Sequence, residues 1–137
     1  MSFTSKIRKV MLIRKFAKNW FSVVFASIKN KEAMILLRSG EELCNVRDPS
    51  SLITLLSYRW KIEEHDETFI VLKNSDNVRL KCRLREGFDL GHIVEIFERD
   101  TYFQDFQNST VIDIGASTGD SSIFFAIKCT LLSSLFN

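Results

Sequence analysis

The residues best placed to do chemistry lie in the run Ser109-Thr-Val-Ile-Asp-Ile-Gly-Ala-Ser-Thr-Gly-Asp-Ser-Ser-Ile-Phe-Phe-Ala126. Its apolar part, 110–114, is typical of a strand buried on both faces of a parallel sheet. A turn bounded by two glycines follows, and the apolar residues 123–127 predict a helix after it. Asp113 therefore lies near the carboxyl end of the predicted strand, where open α/β sheets bind their ligands.

The spacing of this turn excludes two common phosphate-binding loops. A P-loop needs a lysine directly after its last glycine, and Asp120 stands there instead. The dinucleotide-binding fingerprint needs a glycine at position 117, which is a serine. An ordinary strand-turn-helix, whose glycines satisfy only the geometry of the turn, is the alternative interpretation.

The string Val-Ile-Asp-Ile-Gly-Ala-x-x-Gly-Asp-x-Ser-Ile-x-Phe-Ala, residues 111–126, resembles the first motif of Rossmann-like methyltransferases, and of the FkbM family in particular. The resemblance implies an enzyme that uses S-adenosyl-L-methionine, a cofactor with an amino-acid end and a sulfonium but no phosphate. Glycines suit this cofactor because they allow close approach of the backbone. The implied cofactor-binding residues are Asp113, Gly115, Ala116, Ser117, Gly119, Asp120 and Ser121.

The resemblance extends upstream to residues 85–102, where a helix with acidic residues and a tyrosine precedes the first Rossmann strand of the FkbM family. It implies that Tyr102, and less directly Asp89, approaches the cofactor or the substrate. Packing of Tyr102 against the helix end is the alternative. The family implies O-methylation of a saccharide or small metabolite, but no residue identifies the acceptor or a catalytic base.

The predicted fold class is α/β, with an α+β N-terminal region that leads into the start of a Rossmann-like methyltransferase domain. We divide the chain into a basic amphipathic helical arm (1–31), a small region of two hairpins and two helices (32–106) and the start of the methyltransferase domain (107–137). The resemblance breaks after Ile127, because 128–137 contain no acidic residue to hold the ribose. We therefore expect the N-terminal part of a methyltransferase, inactive by itself.

The basic arm carries eight lysines and arginines and no acidic residue within positions 1–31. Interleaved aromatic and aliphatic residues predict one or two amphipathic helices, which could lie on an anionic membrane surface or pack on the rest of the protein. Nucleic acid is not a predicted partner, because no recognition fold or stacking platform accompanies the charge. A small basic binding or membrane-surface module without catalysis is thus the alternative function.

Cysteine and histidine usage predicts neither a metal site nor a disulfide. Cys44, Cys82 and Cys129 lack C-x-x-C spacing, and the two histidines, His65 and His92, lie far apart in sequence. With no secretory signal recognised, the expected location is cytoplasmic, with the membrane periphery as an option. The oligomeric state is not predicted.

The middle of the chain predicts the elements that precede the glycine turn. Strands are expected at 33–37 and 41–46, and Asp48-Pro49 begins a short helix. That helix is expected to bury Leu52, Ile53, Leu55, Leu56 and Tyr58.

The second half of this region is expected to be a hairpin followed by a helix. Residues 63–67 form an acidic run interpreted as a solvated loop, and strands follow at 68–73 and 78–85. Alternation in the last strand predicts that Cys82 is a core residue. A helix is expected at 89–99, with Leu90, Ile93, Val94 and Phe97 on its apolar stripe and His92 on its polar side.

Overall fold

A computed structural model describes residues 3–99 and 123–126 of the chain. The chain divides into two compact units, Met1–Gly91 and His92–Asn137. The described residues mix helices with antiparallel strands, so the protein is of mixed α and β structure. The predicted strand at 110–114 and the glycine turn lie outside the described residues.

The first unit begins with two helices, α1 (Phe3–Phe16) and α2 (Trp20–Lys29). The arm therefore contains two helices, within the one or two that the sequence predicts, and most of its basic residues lie in α1. Asn19 fixes the turn between them, because its side-chain amide donates to the Met34 carbonyl at 2.8 Å and its carbonyl accepts from the Leu36 backbone at 3.0 Å. The helix pair is thereby attached to the strand that follows it.

The first hairpin consists of β1 (Ala33–Leu36) and β2 (Glu42–Val46), which pair antiparallel as predicted. Its apolar residues Ile35, Leu43 and Val46 are fully buried. Gly40 in the connecting turn has a φ of 119°, which an L side chain rarely adopts.

Helix α3 (Pro49–Ser57) begins where the sequence predicts. Asp48 caps it by accepting from the Ser51 backbone at 3.0 Å, and Pro49 occupies the first turn, where its missing N–H costs no hydrogen bond. Its core positions, Leu52, Ile53 and Leu55, are fully buried. The expected burial of Tyr58 is wrong: the residue follows the end of the helix and is 52% exposed.

A three-stranded antiparallel sheet follows, with β4 (Phe69–Lys73) between β3 (Lys61–His65) and β5 (Arg79–Arg83). The period of two in β5 is confirmed, because Leu80 and Cys82 are buried between exposed basic residues.

The loop expected at residues 63–67 is wrong for its first half. Residues 63–65 belong to β3, where His65 pairs with Ile70 and Glu64 pairs with Val71 on the central strand. β3 lies at an edge of this sheet, so its backbone pairs on one side only, and its charged residues are exposed. The loop is confined to 66–68.

Helix α4 (Phe88–Ile93) passes into a π-helical segment, Val94–Glu98, where the sequence predicts one continuous α-helix. The Arg99 N–H donates to the Val94 carbonyl at 3.1 Å, a bond that spans five residues. This wider turn changes which side chains face inward: Ile96 is buried, whereas Phe97 is half-buried.

Within the second unit, residues 123–126 are helical, as the apolar run there predicts. Phe124 is 3% exposed and meets Phe97 edge to face, with ring centroids 5.5 Å apart.

Candidate functional site

The residues expected to bind S-adenosylmethionine all lie outside the described residues, so their arrangement stays a prediction. They are Tyr102, Asp113, Gly115, Ala116, Ser117, Gly119, Asp120 and Ser121. The first described residues after the glycine turn, 123–126, have the helical conformation that the strand-turn-helix interpretation requires.

Asp89, the less direct candidate, makes three hydrogen bonds with Arg83. Its Oδ2 accepts from the Arg83 backbone at 2.9 Å and from Nε at 3.0 Å, and its Oδ1 accepts from Nη2 at 2.8 Å. The carboxylate is buried, and its hydrogen bonds raise the pKa of Arg83 above its ordinary value. These contacts fix the start of α4 to the end of β5, which is a structural role.

The turn between β5 and α4 brings two arginines together. Gly87 has a φ of 72°, and a Cβ built on it would lie 2.6 Å from the Arg47 Cγ. The Arg47 N–H also donates to the Leu84 carbonyl at 2.8 Å. The segment 85–88 therefore lies directly against the residues that precede α3, and only a glycine at 87 fits without displacement.

These two segments form the floor of an open groove whose walls are α1 and α2. Its volume is about 940 Å³, which is the size of a small-molecule site. Four basic residues line it: Lys6, Lys9, Arg47 and Arg85. All four are exposed, and they come from three separate parts of the sequence.

Among the described lining residues of the groove, four cations outnumber two carboxylates, Asp48 and Glu86. Asp48 caps α3, and Glu86 forms an ion pair with Arg83. Among the ion pairs found in the described part of the chain, none involves the four basic residues that line the groove. Their charge is therefore available to an anion.

Apolar side chains line the groove beside these cations. Val10, Ile13 and Val24 contribute to the walls, and Ile28 and Phe88 stand at the groove with 74% and 71% of their surface exposed. The exposed surface extends along α2 through Phe25 and Phe21, at i, i+4 and i+7 spacing with Ile28. Lys29 lies over the Phe25 ring at 5.9 Å.

Sequence reasoning missed the groove. It assigns no site to Arg47 or Arg85. Arg47 and Arg85 line the same groove because the segment around Gly87 packs against Arg47. Composition and periodicity do not predict such a contact between residues distant in sequence. The one sequence feature that could have indicated this turn is Gly87, two residues after Arg85.

Among residues 3–99 and 123–126, no three His, Cys, Asp or Glu side chains come together to hold a metal ion. His92 is exposed, as predicted, and Cys82 is buried at 1% exposure. Within the same residues, every helix is too short or too polar to cross a bilayer.

Comparisons with protein-family models, with curated proteins and with solved structures find nothing that matches this chain.

Proposed function

We propose that this chain carries the first cofactor motif of an S-adenosylmethionine-dependent methyltransferase of the FkbM type, and that residues 113–121 contact the cofactor. The observation that supports the proposal is the sequence of residues 111–126, which combines a β-branched strand, two glycines four residues apart, two aspartates and a helix. The spacing of the two glycines and the aspartate after them does not fit the common phosphate-binding loops, but it suits a ligand held at its amino-acid end.

Each part of the turn has a defined task in this proposal. Asp113, at the carboxyl end of its strand, and Asp120, just after the turn, supply negative charge to the cationic cofactor. Gly115 and Gly119 let the backbone approach the ligand, and Ser117 and Ser121 supply hydroxyl groups. When bound, the cofactor would supply an electrophilic methyl group: a C–O bond to an acceptor oxygen of a saccharide or small metabolite would form as the methyl–sulfur bond breaks, with release of S-adenosylhomocysteine and of the acceptor's hydroxyl proton.

Saturation-transfer NMR with S-adenosylmethionine tests the proposal on the whole chain. We expect stronger saturation of the methionyl protons than of the adenine protons, because 113–121 would hold the amino-acid end. The substitution Asp113→Asn should abolish the signal. Asp76→Asn is the matched control, since it removes one carboxylate from an exposed turn of the first unit.

Saturation that survives Asp113→Asn, or that is concentrated on the adenine, would contradict the proposed contacts. Absence of any signal from the unmodified chain at millimolar cofactor would count against the methyltransferase assignment itself.

A further inference from the structure

We propose that the groove between α1 and α2 is a docking site for the anionic headgroups of a phospholipid bilayer. The inference rests on the first unit alone and does not depend on cofactor binding.

The first argument is charge. Lys6 and Lys9, one turn apart on α1, face the same groove as Arg47 and Arg85. None of the ion pairs in the described part of the chain involves these four residues, and no acidic residue occurs in α1 or α2. Phosphate oxygens suit this set, because guanidinium groups bind them with two hydrogen bonds and ammonium groups add charge.

The second argument is the apolar surface beside the charge. Ile28 lines the groove and is 74% exposed, and Phe25 and Phe21 on the same side of α2 are 58% and 73% exposed. Large apolar side chains that adjoin cations match the boundary between headgroups and acyl chains. A free phosphate ion would use the cations and leave this apolar surface in water.

The third argument separates a membrane from nucleic acid. Among the described residues that line the groove, four are aliphatic, Val10, Ile13, Val24 and Ile28, and Phe88 is the one aromatic. Single-stranded nucleic acid prefers flat aromatic platforms within a basic channel. Hydrocarbon beside phosphate is therefore the better chemical match.

The test is cosedimentation of the full chain with vesicles of phosphatidylcholine, alone or mixed with phosphatidylglycerol. We expect binding only to the mixed vesicles, with release as salt is raised. The double substitution Arg47→Gln and Arg85→Gln should weaken binding by about tenfold or more. The charge-matched control is Arg59→Gln with Lys61→Gln, two exposed residues outside the groove, which should bind nearly as the unmodified chain does.

The apolar contribution is tested with a second matched pair. Ile28→Ser should weaken binding to mixed vesicles, whereas Tyr58→Ser, which alters a side chain 52% exposed and distant in sequence from the groove helices, should not. Circular dichroism and denaturant unfolding of each variant establish that the fold is retained.

Four results would overturn the proposal. They are equal binding to vesicles with and without phosphatidylglycerol, equal losses in the groove variant and its charge-matched control, binding of soluble glycerol 1-phosphate without binding of vesicles, and arginine-dependent binding of single-stranded RNA without binding of vesicles. The last two would assign the groove to a free anion or to nucleic acid.

Discussion

Gly87 connects the conformation of one residue to the shape of the groove. Its left-handed φ of 72° turns the chain from β5 into α4, and its missing Cβ leaves room for the Arg47 side chain. Arg83 and Asp89 hold the two sides of this turn together through three hydrogen bonds. The position of Arg85 in the groove therefore depends on a backbone conformation and on an ion pair whose carboxylate is buried and whose arginine is exposed.

Substitution Gly87→Ala should destabilise the protein. The left-handed conformation alone costs a non-glycine residue about 1 to 2 kcal/mol, and the collision with Arg47 Cγ adds to that cost. Denaturant unfolding followed by circular dichroism measures the effect. Gly91→Ala is the control: its Cβ would lie 3.6 Å from the Oδ2 of Asp48, the residue that caps α3, which is an ordinary van der Waals distance.

Because alanine favours the helix, Gly91→Ala should stabilise the protein by about 0.5 to 1 kcal/mol. Equal effects of the two substitutions would show that neither the conformation nor the contact at position 87 constrains the fold.

Asp66 gives the hairpin of β3 and β4 a dependence on pH. Its Oδ1 accepts from the Thr68 backbone at 2.6 Å, from the Thr68 hydroxyl at 2.7 Å and from the Phe69 backbone at 3.0 Å. These hydrogen bonds, first that from the Thr68 backbone, hold the pKa of Asp66 below its ordinary value. A carboxylate with a lowered pKa contributes stability above its unfolded pKa, and that contribution is lost as the pH falls through the folded value.

We therefore expect the free energy of unfolding to decrease as the pH falls below about 3.9, the ordinary pKa of aspartate. Substitution Asp66→Asn should remove this part of the decrease, because the amide does not titrate in this range but its oxygen can still accept hydrogen bonds. Denaturant unfolding at a series of pH values measures it, with Asp76→Asn in the next turn as the control. An unchanged profile in Asp66→Asn would contradict the assignment.

The elements that the sequence predicts well are those with local signals. Asp48 and Pro49 mark the start of α3 through a capping hydrogen bond and a compatible first turn, which are properties of adjacent residues. Alternation in β5 likewise identifies its buried face. The acidic residues of β3 carry no such signal, because an edge strand owes its conformation to hydrogen bonds with the neighbouring strand.

The π-helical segment is a second element that local sequence predicts only in part. Its apolar pattern predicts a helix but does not predict the extra residue in the turn, in which Ile96 is buried. Local sequence specifies that a helix forms there, whereas the register of its inward-facing side chains is a property of the folded chain.

For the whole molecule, the two candidate sites differ in how they can be recognised. The groove brings together Lys6, Lys9, Arg47 and Arg85 across nearly the full length of the first unit, so only the folded structure reveals it. The proposed cofactor site is one continuous stretch of sequence, so residue types and spacing reveal it without coordinates. The proposed docking surface and the proposed cofactor site use different residues, so one chain can have both.

Photo-crosslinking with S-adenosylmethionine that carries a radioactive methyl group would locate the cofactor site. Trypsin cleaves after Arg99 and next after Lys128, so one peptide, 100–128, contains Tyr102 and the whole of 113–121. We predict that mass spectrometry finds the label in this peptide and that excess S-adenosylhomocysteine prevents the labelling. Label confined to other peptides, or labelling that S-adenosylhomocysteine leaves unchanged, would contradict a cofactor site at the glycine turn.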